Sequence, residues 1–222
     1  MVGLGKVSVQ FNNVEKILKE TNLLSERNYY PEKLESHLSE LRLLDYEKTW
    51  KHYLSNSHYN FQLSDNSLFH FTLNENKPSY AFLGCPYECL NYKDFLKEND
   101  FDFDEVGESF YSDYENYLDA CPIKVSPMTM RFDYDESSYN EGLHPASHIH
   151  IGFNNHIRIG FKTIIDPFAF FCFVIRNVYP EIWSFLLTNS KYSALILTYK
   201  EKLEPIESKH YNKIDEKEFY LV

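Results

Sequence analysis

The feature that most constrains the fold of this chain is a regular alternation of apolar and ionisable residues over three runs, 130–135, 147–153 and 156–161. Alternate residues of a β-strand point to opposite faces of a sheet, so the runs predict three strands with two distinct faces. One set is apolar or aromatic throughout: Met130, Phe132, Tyr134, Ile149, Ile151, Phe153, Ile157, Ile159 and Phe161. The other is ionisable throughout: Arg131, Asp133, Asp135, His148, His150, His156 and Arg158. Because Asn154-Asn155 suits a tight turn, the segment predicts an antiparallel meander.

The ionisable set is the candidate functional surface. Solvent faces of strands usually carry Thr, Lys, Glu and Ser, whereas this face carries His, Arg and Asp, which transfer protons, hold phosphates or bind metals. A solvated polar face, common in antiparallel sheets, is the alternative interpretation. We predict catalytic roles for His148, His150, Arg131, Asp133 and Arg158, and substrate-binding roles for Asp135, His144, Ser147 and His156.

Three interpretations fit this surface. In a metal-free site that cleaves phosphodiesters, His148, His150 and Arg158 would supply the base, the acid and the cation that stabilises developing charge. In a metal site, the two histidines would instead bind a divalent ion together with Asp133 or Asp135. A buried hydrogen-bonded network that fixes strand register needs neither substrate nor metal. All three stay open at the level of sequence.

The rest of the chain predicts an α+β fold, in which an antiparallel β-sheet is packed by helices and follows a helical N-terminal part. Apolar residues recur at helical spacing in 11–24, 32–54 and 110–118. Pro180 divides the apolar segment 165–187 into two short helices, because proline interrupts a helical hydrogen-bond ladder.

Short alternating runs predict further strands at 59–63, 68–73 and 79–83. The acidic segment 91–105 predicts a surface connection, and 193–199 fits either a helix or a strand. We predict two parts, a helical one over 1–56 and an α+β domain over 57–222 that carries the meander.

The charge of the chain limits its partners. It has 33 acidic and 22 basic residues, a formal charge of −11, which disfavours non-specific binding to DNA or to an anionic membrane. The most apolar stretch, Pro167 to Ile175, is too short to span a bilayer. None of the four cysteines has the spacing of a zinc finger. We predict a cytoplasmic protein with reduced thiols.

Several motifs resemble one known family. They are Arg131-Phe132-Asp133-Tyr134-Asp135, His144-Pro145-Ala146-Ser147-His148-Ile149-His150-Ile151-Gly152, Arg158-Ile159, Pro167-Phe168 and Tyr179-Pro180-Glu181-Ile182-Trp183. Together with the strand region from Tyr59 to Phe71, they resemble an uncharacterised bacterial family, domain of unknown function 2290. The resemblance covers roughly Trp50 to Trp183 and brings no established reaction.

The resemblance implies a function through the proteins that members of this family are similar to. Its members resemble accessory proteins of bacterial mobile and phage-defence loci, and an R-x-D motif followed by histidines is similar to small toxins of toxin–antitoxin pairs. The expected function is a defence or toxin-like effector that acts on nucleic-acid or nucleotide phosphodiesters, as a nuclease or phosphodiesterase. The alternative is a non-catalytic binding or assembly subunit of a larger complex, with a protein partner or as a homo-oligomer.

Overall fold

The computed structural model of this chain describes residues 4–31, 44–73, 77–153 and 157–219. Within them the helices are α1 (Leu4–Glu20), α2 (Tyr46–Ser55), α3 (Tyr92–Glu98), α4 (Phe103–Val106), α5 (Tyr111–Ala120), α6 (Pro167–Val178), α7 (Pro180–Thr188), α8 (Ser190–Glu201) and α9 (Lys213–Phe219). The strands are β1 (Leu24–Arg27), β2 (Phe61–Leu63), β3 (Leu68–Thr72), β4 (Ser79–Leu83), β5 (Thr129–Tyr134), β6 (Ser147–Ile151), β7 (Arg158–Gly160), β8 (Thr163–Ile164) and β9 (Glu204–Pro205). The predicted α+β class is confirmed.

The first seven strands form one antiparallel sheet in which spatial order follows chain order, from β1 at one edge to β7 at the other. Helices α3 to α5 are inserted between β4 and β5. The strands β8 and β9 pair separately as a small ribbon. The sheet is therefore a meander in which each strand pairs with its neighbours along the chain.

One face of the sheet is covered by α1 and by α6 to α8. The buried core here contains Phe69, Phe132 and Ile149 from the strands and several phenylalanines of α6. The ring of Phe170 lies 5.8–6.3 Å from rings on β3 and β4. Aromatic side chains bury large apolar areas, so this layer holds α6 against the sheet.

The second face of the sheet has two regions. Near the first residue of β3 and the last residue of β4, Leu68 and Leu83 pack in a second buried cluster with Trp50 of α2 and with residues of α3 and α5. The other region, across β3 to β7, carries the ionisable residues of the predicted surface. The ring of Phe153 lies 5.1 Å from that of Tyr46 in the second cluster.

The structure corrects several details of the predicted elements. The segment 91–105 contains α3 and α4, whose N-terminal amides are capped by Asn91 and Asp102. Phe153 packs on the second face instead of continuing the apolar set, because Gly152 (φ 89°) ends the extended run. Leu24 begins β1 instead of ending the first helix.

Other predictions are confirmed or lie outside the described residues. The two short helices meet at Tyr179-Pro180, and 193–199 lies within the helix α8. The turn at Asn154-Asn155 and most of the predicted helix 32–54 lie outside the described residues. The predicted division at residue 56 stays a prediction; β1 hydrogen-bonds to β2 across it.

Within the described residues, no single helix has the length and apolar character needed to cross a membrane. The helices α6 and α7 reach that length only as a pair, and the chain bends by 120° between them.

We expect Phe132→Ala to lower the free energy of unfolding by about 3–5 kcal/mol, because it leaves a cavity between the sheet and its helices. Phe132 is fully buried and its ring stacks on that of Tyr80 at 5.2 Å. Urea unfolding measures the change, and Val125→Ala at a fully exposed position is the control. A loss below about 1 kcal/mol would contradict this account of the core.

Candidate metal centre

Strand register brings five of the predicted residues together on the second face. The Cα partners across β5 and β6 are Asp133 with His148 and Arg131 with His150. Across β6 and β7, His150 is paired with Arg158. Side chains at paired positions point to the same face, so these residues form one continuous surface.

Asp133, His148 and His150 form the centre of this surface. One ligand atom from each lies within 4.8 Å of the other two. The Nε2 atoms of the two histidines are 3.0 Å apart, and Asp133 Oδ2 lies 3.6 Å from His150 Nε2. Both rings are buried, with His148 3% exposed and His150 8% exposed. We call these three residues the HHD cluster.

The tautomer of His148 follows from its second nitrogen. His148 Nδ1 lies 2.9 Å from the carbonyl oxygen of Pro145, which can only accept, so Nδ1 carries the proton and donates it. When the ring is neutral, Nε2 therefore presents a lone pair toward His150. A metal-binding histidine commonly has its other ring N–H fixed in this way by a backbone carbonyl.

Electrostatics keep both rings neutral near pH 7. Burial lowers the pKa of His148, and the charge of Asp133 only partly opposes this effect. Burial, then the neighbouring charges of Arg131 and His148, lower the pKa of His150 to about 4. Neutral imidazole is the form that binds a metal, so ion binding at neutral pH displaces little bound proton.

The HHD cluster fits a divalent transition metal. Two nitrogens bound to one ion at about 2.1 Å and at a right angle lie about 3.0 Å apart, which matches the separation of the two Nε2 atoms. Two histidines and one carboxylate are the ligand set of many mononuclear sites that keep open positions for water or substrate. Ser79 Oγ and Arg131 Nε donate to the two oxygens of Asp133, at 2.8 Å and 2.7 Å, and so orient the carboxylate.

The same geometry counts against a metal-free acid–base pair. A general base and a general acid need ring nitrogens directed at substrate. Here His148 Nδ1 is occupied by Pro145, and the Nε2 atoms of His148 and His150 face each other.

The two arginines flank the cluster. Arg131 is largely exposed and donates to Asp133, whereas Arg158 is partly buried opposite His150. The charge of Arg158 contributes to lowering the pKa of both His148 and His150, so Arg158 lies close enough to interact electrostatically with both.

The other predicted residues take different positions. The ring of His144 lies 4.9 Å from that of His148, at the edge of the cluster. Ser147 is not brought to the surface: it lies on the opposite face, and its hydroxyl donates to the carbonyl of Thr163 at 2.8 Å. His156 lies outside the described residues.

Asp135 is also separate from the cluster. Its carboxylate caps the short 3-10 helix Glu136–Ser138 and pairs with Lys77 at 2.9 Å. Although burial raises its pKa, hydrogen bonds from Ser137, Lys77 and Ser138 outweigh burial and keep the pKa well below its usual range. Asp135 therefore has a structural role in the turn.

Three residues from earlier in the chain extend the surface, and the sequence patterns did not single them out. Ser79 and His70 reach it because β3 and β4 continue the same register, in which His70, Ala81 and Arg131 are successive partners. Tyr53 of α2 lies over this region, with its ring 5.7 Å from that of His70. No sequence pattern pairs β4 with β5 or places α2 over the sheet, so neither Ser79 nor Tyr53 is indicated by the sequence.

The loop before β6 is held by a buried aspartate from the last helix. Asp215 is fully buried and accepts hydrogen bonds from Tyr139 Oη at 2.6 Å and from the backbone N–H groups of Gly142 and Asn212 at 2.9 Å. This loop leads to His144 and Pro145. Asp215 is therefore a positioning residue for the carbonyl that fixes His148.

Fold and site together define an α+β protein whose antiparallel meander carries a cluster of two histidines and one carboxylate between two arginines. The sequence profile of the family described as uncharacterized conserved protein (DUF2290) matches residues 10–219, and the chain belongs to that family. The match extends beyond the motifs that suggested it and includes most of α1 and α9. No curated protein and no solved structure matches the chain.

We expect Asp215→Asn to loosen the loop that precedes β6. The NH₂ group of the new amide would face one of the groups that now donate to the carboxylate, which are the Tyr139 hydroxyl and the N–H groups of Gly142 and Asn212. A buried donor without an acceptor costs about 1–3 kcal/mol of stability. Hydrogen-exchange mass spectrometry should show faster exchange over residues 136–146, with Glu98→Gln at an exposed site as the control. Unchanged protection would remove the positioning role.

We expect acid to destabilise the fold partly through His70. Burial, followed by the charge of His58, lowers the pKa of His70 to about 4. Between pH 6.5 and 4 the unfolded chain then binds a proton that the folded chain does not, so the free energy of unfolding falls as pH falls. Urea unfolding over this range should be less pH-dependent in His70→Gln. An NMR titration midpoint of His70 at or above 6.5 would contradict this.

Proposed function

We propose that this protein is a metal-dependent phosphodiesterase that acts on nucleotide or nucleic-acid phosphodiesters at the HHD cluster. The observation that carries the proposal is the convergence of one carboxylate and two neutral, buried histidines within 4.8 Å, between two arginines. In this proposal Asp133, His148 and His150 bind a divalent ion. Arg131 and Arg158 bind the phosphate.

The residues around the ion support phosphodiester chemistry. Guanidinium groups make paired hydrogen bonds to phosphate oxygens, and a fixed positive charge stabilises the charge that builds up during cleavage. Arg131 and Arg158 occupy the cross-strand positions on either side of His150. A phosphate placed against the cluster would therefore meet a guanidinium from each side.

The chain's own groups hold the site in one arrangement. Pro145 fixes the ring of His148, and Ser79 fixes the carboxylate of Asp133. Burial raises the pKa of Tyr53 to about 12, so its hydroxyl stays protonated and can donate to a phosphate oxygen. A bound ion would supply Lewis acidity and a more acidic water, which these groups alone cannot supply.

The acidic surface favours a compact substrate. A chain with a formal charge of −11 repels a long polyanion, whereas two local arginines can still hold a single phosphodiester. Nucleotides and short or single-stranded segments therefore fit better than long duplexes. The cellular role that we propose is a cytoplasmic effector of a bacterial defence or toxin–antitoxin system, and its support is the family resemblance.

Metal binding and hydrolysis should fail together when the cluster is broken. We expect His150→Ala to weaken Mn²⁺ or Zn²⁺ binding to chelator-treated protein by more than about 100-fold, because even partners of metal ligands cost 10–100-fold. Calorimetry measures the binding, and release of nitrophenol from bis(4-nitrophenyl) phosphate, together with dinucleotide cleavage, measures activity. Arg158→Ala should retain the metal but lower kcat/KM by about 10–100-fold.

Matched variants outside the cluster control for general damage. His52→Ala and the exposed Asp113→Asn should bind metal and hydrolyse the ester like the parent protein. Parent-like metal affinity in His150→Ala would overturn the metal site. Metal binding without hydrolysis of any phosphodiester would overturn the catalytic proposal and leave the metal site standing.

A second candidate is a binding or assembly subunit, and β7 is the observation that favours it. This strand ends the sheet order, and Ile159 and the adjacent Ile157 are 39% and 57% exposed. Exposed apolar side chains at a sheet edge are suited to pairing with another chain. A stoichiometric partner or a stable homo-oligomer, in a protein without phosphodiesterase activity, would favour this function.

A further inference from the structure

A pair of thiols lies at the end of β4, apart from the HHD cluster. Cys85 and Cys89 are both free, and their Sγ atoms are 3.7 Å apart. A disulfide has an S–S distance of about 2.0 Å, so a small movement of the side chains would join them. Cys85 is buried, whereas Cys89 is partly exposed and can meet a small oxidant.

The surroundings give the two thiols different roles. Asn66 is fully buried, and its amide nitrogen lies 3.4 Å from Cys89 Sγ, to which it donates. The second N–H of the Asn66 amide donates to the Leu90 carbonyl at 2.9 Å, which orients the side chain. Cys85 Sγ also lies 3.5 Å from the carbonyl oxygen of Tyr87.

These contacts separate the acidities of the two groups. Hydrogen bonding from Cys85, together with the Asn66 amide and the charge of Lys124, lowers the pKa of Cys89 despite its partial burial. The hydrogen bond with Cys89, followed by burial, raises the pKa of Cys85. The attacking group in thiol oxidation is a thiolate, so Cys89 is the more reactive of the two.

We infer that Cys85 and Cys89 form a redox-active dithiol that peroxide converts to an intramolecular disulfide, with Cys89 as the attacking sulfur and Cys85 as the resolving one. This function is independent of the phosphodiesterase proposal. Among the described residues no third ligand group completes a metal cluster with these thiols, so oxidation is favoured over metal binding.

The reaction balances with peroxide as the oxidant. The Cys89 thiolate attacks one peroxide oxygen, the O–O bond breaks, and the departing hydroxide takes a proton to become water. Cys85 sulfur then attacks the sulfenic acid on Cys89, forming the S–S bond and breaking the S–O bond. The second hydroxide takes the Cys85 proton. Two thiols are oxidised and one peroxide is reduced to two waters.

The chain provides a direct readout, because Glu88 lies between the two cysteines and is exposed. The reduced protein is treated with hydrogen peroxide, remaining thiols are alkylated, and the denatured protein is cut after glutamate. We expect the peptides that contain Cys85 and Cys89 to stay joined, with the loss of two hydrogens, and to separate after dithiothreitol. Separate, alkylated peptides after oxidation would overturn the inference.

Variants test the separate roles. In Cys85→Ser the sulfenic acid on Cys89 has no resolving thiol, so labelling of Cys89 by dimedone should increase several-fold. In Cys89→Ser, loss of thiols to peroxide should fall at least about tenfold. Cys121→Ser and Cys172→Ser should form the disulfide like the parent protein. Faster oxidation of Cys121 or Cys172 than of Cys89 in the parent protein would overturn the assignment.

Discussion

The burial of the aromatic face of the sheet under α6 is the constraint on which the site depends. Phe170 packs among rings of β3 and β4, and Phe132 and Ile149 belong to the same core. Because side chains alternate along a strand, holding Phe132 and Ile149 inward places Asp133 and His148 on the other face. A slip of one residue would exchange the faces and break the cluster, so the core also fixes the site.

The side chains of the site are held in place mainly by hydrogen bonds. Burying two imidazoles and partly burying a carboxylate costs free energy unless each polar atom finds a partner. Pro145, Ser79 and Arg131 supply these partners, and the loop that carries Pro145 is in turn held by Asp215. The buried polar groups thus extend from the C-terminal helix to the middle of the sheet.

Sequence periodicity predicted the parts of the site that lie within single strands. The alternation of side chains along each strand was enough to place Asp133, His148 and His150 on one face, because alternation requires only a locally extended backbone. The contribution of Ser79 depends on pairing between β4 and β5, which are separated by α3 to α5, and such non-local pairing leaves no periodic signal. The same alternation places Ser147 on the face opposite His148 and His150, so its exclusion from the site could have been predicted.

Short helices and turns were harder to predict for a physical reason. The helices α3 and α4 are too short to show a helical period, although their capping residues Asn91 and Asp102 are present in the sequence. The alternation through Phe153 fails at Gly152, where positive φ ends the extended run. His144 and Asp135 belong to a loop, where alternation says nothing about orientation.

The position of α6 in the chain has a consequence for biosynthesis. All seven strands of the main sheet leave the ribosome before α6 does, whereas α1, which is made first, contacts the rings of Phe61 and Phe71 through Phe11. The rings on β4 and β5 therefore lack the part of their cover that α6 provides until translation has passed residue 178. A nascent chain stalled before that point exposes apolar rings, and exposed apolar surface of this kind is prone to aggregate.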